Sequence, residues 1–267
     1  TWHGDQSPGF PYVHGLQSSD CDMNDLRNSK LHIQIGKNLV ENKMTESHFF
    51  IELIERGGTI VAITPEYGPV ATKATYWLPV RPGATDTALF LGISKILIDE
   101  KKYDEDFLLR HTDFPLLIRE DNLRRLRASD IFPDYKPGLT PDGPSFSEQH
   151  LEPEQYARLG DFVVFDANRN ALAPITRDDV GERLDSKNLR PKLDWVGTVT
   201  LVDGTKVEVR TLFHQYRIHL ADYDLDTVHE ICGAPKDSIL RLANDIGNRD
   251  NWPVGVHVGE GINHWFH

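Results

Sequence analysis

The chain has 267 residues and a formal net charge of −12, with hydrophobic residues at 39% and charged residues at 26%. This balance suits a globular protein with one large core or two modest ones. It argues against nucleic acid as a partner, because phosphate-backbone binding rests on clustered Lys and Arg, and no apolar run approaches the ~18 residues of a membrane helix.

The two cysteines, Cys21 and Cys232, form no CxxC pair, so neither an iron–sulfur cluster nor a structural zinc site is expected within the segment. There are twelve histidines but no HExxH, and the three-residue spacing of His264 and His267 is a weak metal signal. The basic run Arg124-Arg125-Leu126-Arg127 reads as a solvated helix face.

Residues 1–30 are polar and turn-rich. LHIQIG (31–36) alternates and is rich in Ile, which predicts a strand. GKNLVENKM follows as a loop, and Thr45 or Ser47 is expected to cap a helix through HFFIELIERG that stops at Gly57-Gly58. TIVAIT (59–64) is more apolar, as in a parallel strand buried on both faces. Strand, helix and strand together make a βαβ unit with a right-handed crossover. YWLPV (76–80) is a third short strand, and Thr85-Asp86 opens a helix through TALFLGISKILIDEKK. A shorter helix follows in YDEDFLLRHTDFP.

From about 120 to 194 the periodicity fades into a Pro-, Gly- and Asp-rich stretch with one short strand at DFVVFD. WVGTVTLVDGTKVEVRTL is a hairpin, with Asp203-Gly204 predicted as a type I′ turn. Helices fit FHQYRIHLADY, DTVHEICG and APKDSILRLANDIG, with Gly233 and Gly247 as C-caps. VGVHVG is the last strand. The expected fold is α/β: mostly parallel sheets with flanking helices, a loop-rich insertion and a small β-hairpin. The expected division is an α/β cofactor-binding part at 1–120, the insertion at 121–194, and a hairpin, helices and returning strand at 195–267.

In open α/β sheets, ligands bind at the carboxyl ends of the strands. Here those ends carry Gly36-Lys37-Asn38, Thr64-Pro65-Glu66, Arg81-Pro82-Gly83 with Thr85-Asp86, and Gly259, Gly261, Asn263 and His264. Glycines admit a phosphate to the backbone, and carboxylates accept from base N–H and ribose O–H groups, so the set suits a nucleotide with a pyrophosphate. Neither G-x-G-x-x-G nor a Walker A loop is present, which argues against an ordinary NAD or ATP site.

The ordered set GKNLVENKM, HFF, IVAITPEYGPVATKATYWLPVRPGATDTAL, YDEDFLLRHTDFPLL and GEGINHWFH resembles the molybdopterin oxidoreductase (dimethyl sulfoxide reductase) superfamily. Within it the sequence looks like the catalytic subunits of nitrite oxidoreductase and respiratory nitrate reductase. The resemblance implies an internal segment of a longer chain, and Mo-bis-molybdopterin guanine dinucleotide as cofactor. It also implies an iron–sulfur cluster elsewhere in the full-length subunit, an iron–sulfur beta subunit, and a haem or membrane-anchor subunit. The implied reaction is nitrite oxidation to nitrate at the periplasmic side of a membrane-associated complex. The alternatives are reduction of nitrate, chlorate or selenate by the same type of site, the cytoplasmic side, and a non-catalytic α/β module that binds a nucleotide or a partner.

Carried over by residue, the resemblance implies that Asn38 meets a cofactor phosphate or pterin edge, and that Glu66 and Tyr67 lie at a guanosine. Gly83, Thr85 and Asp86 match the family's Gly-Thr-Asp with Ala84 inserted, Asp86 reading the guanine. The loop with Gly259 and Gly261 helps enclose the cofactor, and Asn263 and His264 approach the pterin region. GLQSSDCDMND matches the segment that ligates molybdenum, with Asp20 as the expected ligand, Asp22 as the runner-up and Asp25 as a further fit. His14, Asn28 and His264 are candidate donors to an anionic substrate.

Overall fold

The computed structural model describes residues 22–136, 161–259 and 262. It divides into two compact units, one from residues up to Tyr103 together with those from Leu220 onward, the other Asp104–His219. The boundaries expected at 120 and 194 therefore do not coincide with the units, because the last helices and strand return to the first unit. Among the described residues the strands are β1 (Leu31–Ile35), β2 (Thr59–Ile63), β3 (Tyr76–Leu78), β4 (Leu117–Arg119), β5 (Phe162–Asp166), β6 (Ala171–Ile175), β7 (Val196–Thr200), β8 (Lys206–Thr211) and β9 (Val254–Val258).

The first unit holds a parallel sheet in the order β3-β2-β1-β9. Its strand β1 is buried at every position, His32 and Gln34 included. On one face Leu31, Ile33, Ile35, Val61 and Ile63 pack against the helices Asp86–Asp99, Leu225–Cys232 and Lys236–Gly247. On the other, Ile60 and Ala62 pack with Leu39, Phe50, Leu53 and Val70. Burying each such aliphatic side chain stabilises the fold by roughly 1.5–3 kcal/mol. A Cβ on Gly92 would lie 2.6 Å from Val228 Cγ2, so glycine lets two of these helices cross closely.

Local chemistry sets the helix ends. Asp224 caps Leu225–Cys232 by accepting from Thr227 N–H at 2.8 Å, and Gly233 closes it at φ 71°. Three expected boundaries move. Ser47 is the first helical residue after Glu46, with no side-chain cap, and a 3₁₀ turn, Met44–Glu46, precedes it. Gly247 is the last helical residue and Asn248 the cap. The expected loop GKNLVENKM contains a helical turn, Leu39–Asn42, anchored by fully buried Leu39.

The second unit is antiparallel: a sheet in the order β4-β8-β7 and the pair β5-β6. Along β8, Val207, Val209 and Thr211 point inward and alternate with outward polar residues. The expected type I′ turn is a three-residue loop instead. Gly204 donates to Leu201 O at 2.9 Å, Leu201 N–H donates to Thr205 O at 2.8 Å, and only Gly204 takes positive φ, at 85°. This is a type I turn followed by a glycine bulge. Among the described residues no helix is long and apolar enough to cross a membrane.

Candidate functional site

The carboxyl ends of β1 and β2, the segment after β3 and Ile262 line one cleft of about 250 Å³. Three backbone devices shape it. Gly36 turns the chain at φ 55° and donates to Ile63 O at 3.0 Å. Gly259, after β9, donates to Ile35 O at 2.8 Å, and a Cβ there would lie 2.2 Å from Gly36 O, so the two strand ends meet backbone to backbone. Gly83 and Ala84 are successive left-handed residues, at φ 101° and 60°, leading into the helix Asp86–Asp99. Ala84 pays a steric penalty there that glycine would not.

Thr85 is buried and holds this loop, donating from Oγ1 to Arg81 O at 2.5 Å. Arg81 also lines the cleft, but its guanidinium is committed to the carboxyl end of helix Leu225–Cys232. Nη1 donates to Glu230 O at 2.9 Å and Ile231 O at 3.1 Å, where a cation offsets the helix dipole. Asp86 is half-buried and lines the cleft with no cation partner among the described residues. Burial holds its carboxyl above the usual carboxylate range. It presents an acceptor to whatever enters.

Asn38 lines the cleft too, with its Nδ2 donating to Glu41 and its Oδ1 buried without a hydrogen-bond partner among the described residues. Glu66 is exposed on the rim, and its N–H lies 3.4 Å from Thr64 Oγ1. Asn38, Glu66, Gly83 and Asp86 are thus brought together, with Gly259 beside Gly36. Tyr67 does not line the cleft: it is 60% exposed and meets Trp77 edge-on at 5.3 Å.

The described candidates for metal and substrate, Asp22, Asp25 and Asn28, fall elsewhere. Asp22 caps the 3₁₀ helix Met23–Asn28, accepting from Asn24 N and Nδ2 at 2.9 Å, and Asp25 and Asn28 are on that helix, outside the cleft lining. Asp20, His14, Gly261, Asn263 and His264 lie outside the described residues. Among the described residues no three His, Cys, Asp or Glu side chains gather as a metal site.

Reading strand ends missed Asn42, Gly68 and Glu41. Asn42 and Gly68 line the cleft, and Glu41 touches Asn38. The available signal was spacing: Glu41 and Asn42 follow Asn38 by three and four residues, one turn of helix. Also missed was a buried polar strip on β1 and β9. Among the described residues, neither ring nitrogen of His32 nor either amide atom of Gln34 has a hydrogen-bond partner, and His257 Nδ1 has none. The two imidazoles lie 6.3 Å apart, and burial with the neighbouring His257 lowers His32 to about 3.

A family model described as "Molybdopterin oxidoreductase" matches residues 3–267. The respiratory nitrate reductase subunit alpha of Haloferax mediterranei is 31% identical over 273 residues, covering 100% of this chain and 26% of the relative. The perchlorate reductase subunit alpha of Dechloromonas aromatica is 30% identical over 279 residues, covering 100% of this chain and 28% of the relative. Among solved structures, acetylene hydratase from Pelobacter acetylenicus matches at a TM-score of 0.46 and 16% identity, over 91% of this chain and 21% of that one. The chain spans about a quarter of the length of the two curated relatives.

Proposed function

This chain belongs to the molybdopterin oxidoreductase family, and from that premise we propose that it is part of a catalytic subunit, where it encloses molybdopterin guanine dinucleotide. The observation that carries this reading is the cleft at the strand ends, which has Asp86 as an acceptor without a cation and Asn38 Oδ1 as a buried acceptor without a donor among the described residues. These groups fit the N–H and O–H edges of a guanine nucleotide and its pterin. The backbone contact of Gly259 with Gly36 leaves the strand ends free of side-chain bulk.

When bound, the molybdenum centre supplies two-electron oxygen-atom transfer. The proposed reaction is nitrite plus water giving nitrate, two protons and two electrons. Asp86 accepts from the guanine and orients it, and Gly83 and Ala84 shape the loop beside it. Asp20 is the proposed metal ligand, ahead of Asp22, whose carboxylate already caps a helix. His14, Asn28 and His264 are the proposed donors to the anion. Iron–sulfur centres held by the full-length subunit and by a beta subunit, with a haem or membrane-anchor subunit at the periplasmic side, would supply the electron acceptors. Nitrite oxidation is favoured by the resemblance of GKNLVENKM and FPLLIREDNLRRLR to that subgroup. The relatives named above are reductases of nitrate and perchlorate, which supports reduction as the second reading.

The test uses the native full-length subunit, assayed for molybdenum per subunit and for nitrite- and nitrate-dependent turnover. Asp86→Asn keeps the size and replaces one acceptor with a donor, so cofactor retention should fall about tenfold or more. Unchanged retention would reject Asp86 as the guanine reader. Asp20→Ala should abolish turnover with cofactor still bound.

A further inference from the structure

We propose that Glu41 is a positioning residue that fixes the hydrogen-bond polarity of the cleft at Asn38, so that the cofactor group met there is a donor, a hydroxyl or an N–H, and not a phosphate oxygen. The inference rests on the reading that this cleft holds the cofactor, and it deepens it.

Asn38 stands where an asparagine ordinarily caps a helix. Its side-chain oxygen would then accept from a backbone N–H in the first turn. It makes no such bond. The turn Leu39–Asn42 is closed by the backbone instead: the N–H groups of Glu41 and Asn42 donate to Asn38 O at 3.2 and 2.8 Å. The side chain is thereby left for other use. Its Nδ2 donates to Glu41 Oε2.

An ionised carboxylate only accepts, so it can be met only by the NH₂ end of the amide. The amide orientation therefore follows from the chemistry of the pair. Turning it over would set two acceptors against each other. With Nδ2 committed, the other end of the amide is Oδ1, which is buried and has no hydrogen-bond partner among the described residues, on a residue that lines the cleft. An acceptor buried without a donor costs about 1–3 kcal/mol unless a ligand group satisfies it. A phosphate oxygen has no proton to give, and Glu41 adds a negative charge one helical turn away that repels it. A ribose hydroxyl or a pterin N–H satisfies Oδ1 directly.

The test is a set of variants in the full-length subunit: Glu41→Gln, Asn38→Asp, the double variant, and Asp86→Asn as a reference. The readouts are molybdenum per subunit and the fluorescent oxidised pterin released on denaturation, with thermal unfolding to check the fold. Glu41→Gln frees the amide to turn and should lower retention by about tenfold. Asn38→Asp alone sets two carboxylates together and should lower it similarly. The double variant should recover to within about twofold of wild type. In it the amide introduced at position 41 donates to one oxygen of the carboxylate introduced at position 38, and the other oxygen still accepts in the cleft.

The opposite pattern overturns the inference: retention unchanged or raised in Glu41→Gln, and lowest in the double variant, is what a phosphate at Asn38 predicts. If Asp86→Asn lowers retention while Glu41→Gln does not, only the role of Glu41 falls. If no variant at Asn38, Glu41 or Asp86 changes retention, the cofactor reading of the cleft falls with it.

Discussion

In the antiparallel unit, each of the three buried carboxylates among the described residues has an oxygen tied to the chain around it, while Asp166 Oδ2 has no hydrogen bond and meets only the Arg169 guanidinium, and Arg110 Nε, Thr176 Oγ1 and Arg210 Nε are likewise buried without a hydrogen-bond partner among the described residues. Asp161 accepts from Tyr135 OH at 2.6 Å, Asp179 from Thr176 N–H at 2.7 Å, and Asp166 from the N–H groups of Arg190 and Asn168 at 2.9 and 3.1 Å. In the parallel unit, His32 and Gln34 are equally buried and have no hydrogen-bond partners among the described residues, and Asn38 Oδ1 and the Asp86 carboxylate face a cleft. Buried polar groups are expensive unless satisfied. Where they are satisfied internally, they hold irregular backbone in place. Where they are not and they also line a cleft, as Asn38 Oδ1 does, a ligand group can complete them.

The sharpest way to break this contrast is at the glycines. Gly259→Ala puts a Cβ 2.2 Å from Gly36 O and 2.8 Å from Lys37 Cα, both backbone atoms that cannot step aside. We expect a loss of at least about 3 kcal/mol, with cofactor retention lost as well. Gly197→Ala in the antiparallel unit meets the Trp195 ring at 2.4 Å, a side chain at the end of a rotatable bond, and should cost less. Equal costs in urea unfolding would show that the strand ends of the parallel sheet are no more constrained than a hairpin.

The next effect lies in the antiparallel unit. Asp166→Ala strands two backbone N–H groups and the Arg169 guanidinium, 3.3 Å from Asp166 Oδ2. The cost should be about 2–3 kcal/mol, read as a lower unfolding midpoint, with molybdenum per folded subunit unchanged. A drop in metal content without a drop in stability would remove the distinction between scaffold and site.

The parallel sheet was legible because buried parallel strands are short, apolar and end in glycine or a turn. TIVAIT, YWLPV and VGVHVG announce themselves this way, and the strand-end rule then brought Asn38, Glu66, Gly83 and Asp86 into one place. Four things were not legible. LHIQIG reads as a strand, but its alternation does not show that His32 and Gln34 are both 1% exposed. Their burial depends on what packs over the sheet, which a local pattern does not contain. β4 was invisible because its three residues pair with β8, some ninety positions later. β6 carries Pro174, which ordinarily argues against a strand but is tolerated in this two-stranded pair. The role of Glu41 also required coordinates, since only the direction of its contact with Asn38 separates it from a solvated charge.

The smallest effect is the most discriminating, because it separates the two kinds of buried polar group by sign. Burial and the neighbouring His257 lower His32 to about 3, while the unfolded side chain titrates near its ordinary 6.5. Between these values the unfolded chain binds one proton more than the folded chain. Acid therefore favours unfolding, and the stability tied to a neutral His32 is present above pH 6.5 and lost as pH falls. The slope is about 1.4 kcal/mol per pH unit, so roughly 2 kcal/mol should disappear between pH 6.5 and pH 5. His32→Leu should remove that part of the slope. It should also be neutral or mildly stabilising at pH 7, since it replaces an unpartnered polar ring with an apolar side chain against Phe50, 6.2 Å away. Asp166→Ala should destabilise at the same pH. Urea midpoints at pH 7 and pH 5 for wild type and both variants measure this. If His32→Leu destabilises at pH 7 as Asp166→Ala does, then His32 is held by bonds of its own, and the polar strip of the parallel sheet is scaffold like the carboxylates of the other unit.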